Sequence, residues 1–311
     1  MIISASRRTD IPAFYAEWFL NRISDGYVLL KNPFNAHQIR RVSLRAEDVD
    51  AIVFWTRNAE KLIPSLKILD ARGYRYYFQY TITGYPRSIE QSVPATRRAI
   101  QTFIELSALI GPEKNIWRYD PILVSNVTSI DEHKRIFEKI ARALEGHTNR
   151  VVISFVDMYK RVSANIGQVP GLIMEKETAK CEMFQTLAQH FANISAQFGM
   201  SIQSCAEEID LSRQGIMHGK CIDDELIRSL FDISVARRKD KNQRPSCACI
   251  ESVDIGQYDT CLHGCKYCYA TTNHALATRN FEKHNPKSPL LLGEPEMPLE
   301  PNIDHQQESL F

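Results

Sequence analysis

Short apolar, β-branched or aromatic runs alternate along the chain with longer amphipathic stretches. Strand-like runs occupy residues 1–6 (MIISAS), 27–32 (YVLLKN), 50–56 (DAIVFWT), 74–83, 115–122 (NIWRYDPI), 150–158 (RVVISFVDM) and 200–207 (MSIQSCAE), with a weaker eighth at 247–255. Helical periodicity fills the gaps. From Ser129 onward, Ile130, Ile136, Phe137, Ile140, Ala141 and Leu144 share one stripe; Ser129 and Glu132 form a capping box, and Gly146 stands where a C-cap belongs. A second capping box, Ser88 with Gln91, predicts a long helix ending near Gly111-Pro112. Further helices are expected at about 12–24, 58–72, 178–198 and 223–231, with Cys181 inside one of them.

Strands alternating with helices imply parallel pairing through right-handed crossovers. Seven clear units and an eighth within about 250 residues predict an α/β fold, a (β/α)8 TIM-type barrel over residues 1–260. Residues 261–311 then carry a cysteine loop and an irregular, Pro-rich extension packed on the barrel mouth. Lys plus Arg (38) and Asp plus Glu (37) nearly cancel, so net charge does not point to nucleic acid or membrane. The N-terminus lacks a basic segment followed by an apolar one, and no apolar run approaches the ~20 residues of a membrane span. The expectation is a cytoplasmic protein, in which clustered cysteines bind metal or carry redox chemistry rather than disulfides.

A barrel concentrates its chemistry at the C-terminal ends of its strands. Those positions hold Arg7, Arg8 and Asp10 after the first strand, Trp55, Arg57 and Asn58 after the third, and Gln79 and Tyr80 at the fourth. Arg118 and Asp120 follow on the fifth, and Cys205, Glu207 and Glu208 at the seventh. Any one of them is more often a helix cap or an ordinary polar strand exit. Together they predict a cavity for anionic groups, because guanidinium forks match carboxylate and phosphate. Arg7, Arg8, Asp10, Arg118, Asp120, Glu207 and Glu208 are the candidate catalytic and binding residues.

The chain has eight cysteines. Cys261, Cys265 and Cys268 are spaced C-x3-C-x2-C. A tetrahedral zinc site would join Cys265 and Cys268 to Cys247 and Cys249, to Cys261 or to His263. Three thiolates on one loop instead suit a cubane with one iron free of protein ligands. Cys205, Cys221, Cys247 and Cys249 are four further thiols. They are enough for a second [4Fe–4S] cluster or a structural zinc, unless they are separate packing residues.

The stretch CLHGCKYC resembles the C-x-x-x-C-x-aromatic-C motif of the radical S-adenosylmethionine (SAM) enzymes, with Tyr267 in the aromatic position. The resemblance implies a [4Fe–4S] cluster on Cys261, Cys265 and Cys268. It further implies SAM chelated to the open iron and cleaved to a 5′-deoxyadenosyl radical, Tyr267 near the adenine, and an electron donor such as a ferredoxin or flavodoxin. Those enzymes carry the loop after their first strand, whereas here it follows the last, so the implied fold is a circularly permuted barrel. A Gly-Gly-Glu-like turn holding the SAM amino group is then expected on the next strand. Gly293 and Glu294 in LLLGEP are the candidates, beside their plainer reading as a turn. From SRRTDIPAFYAEWF through DAIVFWTRN to DIGQYDTCLHGCKYCYA, the chain also looks like a prokaryotic family known only as a domain of unknown function. The expected function is an iron–sulfur enzyme of radical SAM type acting on an anionic substrate. The alternatives are an iron–sulfur protein that does not use SAM and a zinc-stabilised nucleic-acid-binding protein.

Overall fold

The computed structural model describes residues 1–32, 35–175 and 180–294. In chain order its elements are β1 (Ile2–Ala5), α1 (Ile11–Phe14), α2 (Ala16–Asp25), β2 (Tyr27–Asn32), β3 (Asn35–Ser43), β4 (Ala51–Thr56), α3 (Leu66–Ala71), β5 (Tyr76–Thr81), α4 (Thr96–Ile110) and β6 (Asn115–Ile122). They continue with α5 (Ile130–Ala143), β7 (Arg150–Phe155), α6 (Lys160–Ile166), α7 (Lys180–Gln197), β8 (Ser201–Ser204), β9 (Met217–His218), α8 (Asp224–Phe231), β10 (Val253–Asp254) and α9 (His274–Glu282).

Eight strands form one sheet in the order β10-β1-β4-β5-β6-β7-β8-β9, and its seven pairings are all parallel. The expected closed barrel, permuted or not, is not formed. No pairing joins β9 to β10, so the sheet is open with two edges. Both edge strands are two residues long, too short to complete a barrel wall. YVLLKN does not enter this sheet either; it turns back on β3 as an antiparallel hairpin, with Tyr27 opposite Ser43 and Leu30 opposite Arg40. Only two residues separate β2 from β3, far short of the dozen or so a parallel crossover needs.

Both faces of the sheet are buried, which is why its strands read as nearly continuous apolar runs. Ile3, Ile52, Phe54, Phe78, Tyr80, Trp117, Tyr119, Val151 and Ile153 face the helical layer. Ile2, Ala51, Val53, Tyr77, Ile116 and Val152 face the other way and meet Ile222, Leu226, Ile227 and Ile250, which precede or belong to the last elements of the chain. Ser129 caps α5 by accepting the Glu132 N–H, whereas Ser88 and Gln91 cap nothing. α4 begins only at Thr96, because Pro94 disfavours helical backbone in the residue before it.

The segment after the cysteine loop packs on the N-terminal elements. Tyr15 lies edge-on to Phe281 and His284, Trp18 donates to the Ser288 carbonyl, and the Leu29 N–H bonds to the Pro289 carbonyl. The final part of the expected extension, residues 295–311, lies outside the described residues, as does the Cys181 side chain. Among the described residues no helix is long and apolar enough to cross a membrane.

Candidate functional site

Along the face that meets Ile222 and Ile250, each strand changes from apolar to polar toward its C-terminal end. Beyond the floor of Ile2, Val53, Tyr77, Ile116 and Val152 come Ser4, Trp55, Gln79, Arg118 and Ser154. Two guanidinium groups stack on the Trp55 ring, with Arg7 Cζ 5.2 Å and Arg118 Cζ 5.1 Å from its centroid. Arg118 donates from Nε and Nη2 to Asp120 Oδ2 and from Nη1 to Cys221 Sγ at 2.7 Å and Gln79 Oε1 at 3.4 Å. Burial opposes its charge, but Asp120 and the nearby cysteines keep its pKa above the ordinary value. Arg7 keeps a buried donor: Nη2 has no hydrogen-bond partner, while Nη1 lies 3.7 Å from Asp240 Oδ2.

Glu207 stands at the same strand ends. Burial raises its pKa to about 7, against the Phe155 N–H that bonds its Oε1 at 2.7 Å, while Asp120 reinforces the rise. Arg8 stacks over Tyr258 at 4.9 Å, and Glu208 is exposed.

The cysteine loop lies against the loop after β1 because β10 pairs with β1. Asp254 accepts from Ser4 Oγ, Ser6 Oγ and the Arg7 N–H, and Thr9 Oγ1 donates to the Gln257 carbonyl. Asp10 is the knot: Oδ1 takes the Ala13 N–H and Thr56 Oγ1, and Oδ2 takes the Arg57 N–H and His263 Nε2, both at 2.7 Å. His263 therefore donates from Nε2, leaving Nδ1 buried without a partner. On its other side the loop bonds to residues 89–92: Lys266 N–H to the Ile89 carbonyl and Ser92 N–H to the His263 carbonyl.

Beneath that contact Glu90 Oε1 receives Arg57 Nη1 at 2.8 Å, Thr83 Oγ1 and the Tyr267 hydroxyl. Tyr267 also meets Arg57 Nη2 and lies edge-on to Tyr85. Cys261, Cys265 and Cys268 are half-buried free thiols. Burial pushes Cys265 up to about 12 and also raises Cys261 well above the ordinary thiol range.

The other four cysteines meet, although the chain separates them by up to 44 residues. Cys221 and Cys205 bring their sulfurs within 3.0 Å of each other. The neighbouring thiols of Cys205, Cys221 and Cys247 hold Cys249 well below the ordinary thiol range. Its sulfur also accepts the N–H groups of Cys221 and Ile222 at 3.3 and 3.4 Å. Tyr77 and Gln79 clamp the Cys221 carbonyl at 2.7 and 2.9 Å.

Arg7, Asp10, Arg118, Asp120 and Glu207 thus sit with the cysteines at one end of the sheet. Gly293 and Glu294 do not join them. Residues 290–294 form no strand, Gly293 accepts from Ser288 and lies beside Lys31, and Glu294 accepts from Asn285. Glu90, Asp254 and Asp240 were not singled out by sequence reasoning. Glu90 lies inside an expected helix, and the other two give no local signal, because their partners are distant in the chain.

Among the described residues no three His, Cys, Asp or Glu side chains are set to grip a single metal ion as they stand. The C-x3-C-x2-C loop supplies three thiolates from one short segment, a donor set that suits a cluster with one iron free of protein ligands. The buried Nδ1 atoms of His263 and His274 have no partner in the protein; with its proton on Nε2, His263 presents Nδ1 as a lone pair that can accept a donor or ligate a metal.

No curated protein matches the chain. Residues 2–270 match the family model described as Domain of unknown function (DUF1848), a span that runs from β1 past Cys268 and stops short of Gly293 and Glu294. That match covers most of the sequence, and the chain belongs to the DUF1848 family.

Proposed function

We propose that the protein is a cytoplasmic iron–sulfur enzyme of radical SAM type, with Cys261, Cys265 and Cys268 holding a [4Fe–4S] cluster and an anionic molecule as substrate. The observation that carries this reading is the docking of the three-cysteine loop on the strand ends through Asp10–His263 and Glu90–Tyr267, next to buried ionisable groups. When bound, the cluster supplies a low-potential electron for reductive cleavage of SAM, delivered to it by a ferredoxin- or flavodoxin-type donor. The chain's own residues do the rest. Arg7 offers its unpartnered Nη2 to a carboxylate of SAM or substrate, held in place by Trp55. Arg118 is already committed to Asp120 and Cys221, so it orients Asp120 rather than binding an anion. Glu207, with a pKa of about 7, exchanges a proton near neutrality.

A second reading keeps the cluster without SAM. It is favoured by the engagement of Tyr267 with Glu90 and Arg57 and by the separate location of Gly293 and Glu294. Anaerobic purification and reconstitution with iron and sulfide decide between them. The expected result is a brown protein with visible charge-transfer absorption that forms 5′-deoxyadenosine from SAM once reduced. Replacing Cys261, Cys265 and Cys268 by Ala abolishes both signals. A brown protein that never cleaves SAM supports the second reading, and a colourless one overturns both.

A further inference from the structure

The four remaining cysteines sit where the sheet fails to close. Cys205 directly follows β8, Cys221 lies three residues after β9, and Cys247 and Cys249 precede β10. β9 and β10 are the two unpaired edges. Across that seam the chain makes the backbone bond from Ile250 N–H to the Ile222 carbonyl, and the cysteine quartet lies beside it. All four thiols are at most 9% exposed, among apolar neighbours that include Ile222, Leu226 and Ile250.

We infer that Cys205, Cys221, Cys247 and Cys249 form a tetrahedral site for one thiophilic divalent cation, zinc by its chemistry, that staples the two open edges of the sheet together. Three observations carry this. First, four buried thiols from three separate segments gather in one apolar cluster, with the Cys205 and Cys221 sulfurs 3.0 Å apart and Cys249 Sγ accepting the Cys221 N–H, which four independent packing cysteines have no cause to do. Second, donors already point at sulfur: Arg118 Nη1 at Cys221, and two backbone N–H groups at Cys249. Such bonds stabilise thiolates and orient metal ligands. Third, the size fits one ion and not a cubane. Zn–S bonds of about 2.3 Å set tetrahedral sulfurs about 3.8 Å apart, so the 3.0 Å contact between Cys205 and Cys221 opens by less than an ångström. Four irons with their sulfides would have to displace the packed Ile222 and Ile250. No ready-made one-ion geometry is present among the described residues, so binding requires the sulfurs to shift.

This inference does not rest on the proposed function, and the test keeps the two apart by using the full chain with Cys261, Cys265 and Cys268 replaced by Ala. Purified from zinc-supplemented cells, this variant is expected to hold stoichiometric zinc by elemental analysis. Exchange with cobalt is expected to give the sulfur-to-cobalt charge transfer and red-region bands of a tetrahedral thiolate site. A further Cys249→Ser change is expected to remove most of the metal. Should that variant not fold, chelation of the folded parent is expected to expose four reactive thiols and lower Tm by about 5 °C or more. Absence of metal, a Cys205–Cys221 disulfide by mass spectrometry, iron accompanied by acid-labile sulfide, or metal retained by a folded Cys249→Ser variant would each overturn it. Loss of iron–sulfur absorption in the same parent variant bears only on the C-x3-C-x2-C loop.

Discussion

Asp10 shows how much a single side chain can coordinate at this site. Its two oxygens take four donors from three parts of the chain: the first turn of α1, the exit of β4 and the cysteine loop. Asp10→Asn keeps the shape but turns an NH2 group toward two of those donors. We expect a loss of about 2–4 kcal/mol in urea unfolding and faster alkylation of Cys261 and Cys265. His133 plays a purely structural part. Its Nε2 donates to the Leu123 carbonyl at 3.0 Å, so Nδ1 must accept from the Tyr119 hydroxyl at 2.8 Å, and the ring is neutral. Burial lowers its pKa from 6.5 to about 4, outweighing the Leu123 bond and Glu132. The folded state therefore binds this proton less readily than the unfolded chain does. The stability tied to His133 is complete above pH 6.5 and is lost as pH falls toward 4. Between pH 7 and 5 the loss is about 2 kcal/mol, and it should disappear from the pH profile of His133→Gln.

At the scale of elements, what the hydrophobic pattern revealed depended on where each element's partners lie. β1, β4, β5, β6 and β7 are buried on both faces and announce themselves as apolar runs, and α5 carries its own cap in Ser129. β2 looks like another such run, but its partner is a neighbour two residues away, so local geometry assigned it to a hairpin. The loop between β5 and α4 was the harder case, because Ser88 and Gln91 have the residue types of a helix start and Pro94 cancels them. Instead of starting a helix, that loop carries Glu90 to Arg57 and Tyr267. Glu90→Gln leaves the Arg57 guanidinium buried without its counter-charge and should cost about 3–5 kcal/mol in chemical denaturation. Replacing Arg57 by Met and Glu90 by Leu together should recover most of that loss.

Over the whole molecule, the sequence marked the end of the sheet where polar groups gather but not which of them are free. Arg7 and Arg118 look alike as strand-exit arginines, yet one retains an unpartnered donor and the other is bound to Asp120 and Cys221. That difference depends on partners scattered from Gln79 to Cys221, and no local pattern encodes it. The failure to close was equally hidden. Alternating units favour a barrel until the last third of the chain, where β9 and β10 shrink to two residues each. Cysteines then take over a stretch of wall that longer strands would otherwise have built.

The pairing of β10 with β1 has a consequence for biosynthesis. Ser4 and Asp254, which bond across it, are 250 residues apart. A ribosome adding roughly 5–20 residues per second leaves β1 without that neighbour for about 10–50 seconds. During that interval Asp10 lacks His263, and the strand carries one unfilled edge. The cysteine loop is translated after both β1 and β10. Any cofactor held by all three cysteines must therefore be loaded after the chain has been made through Cys268, with the sheet strands from β1 to β10 already synthesised.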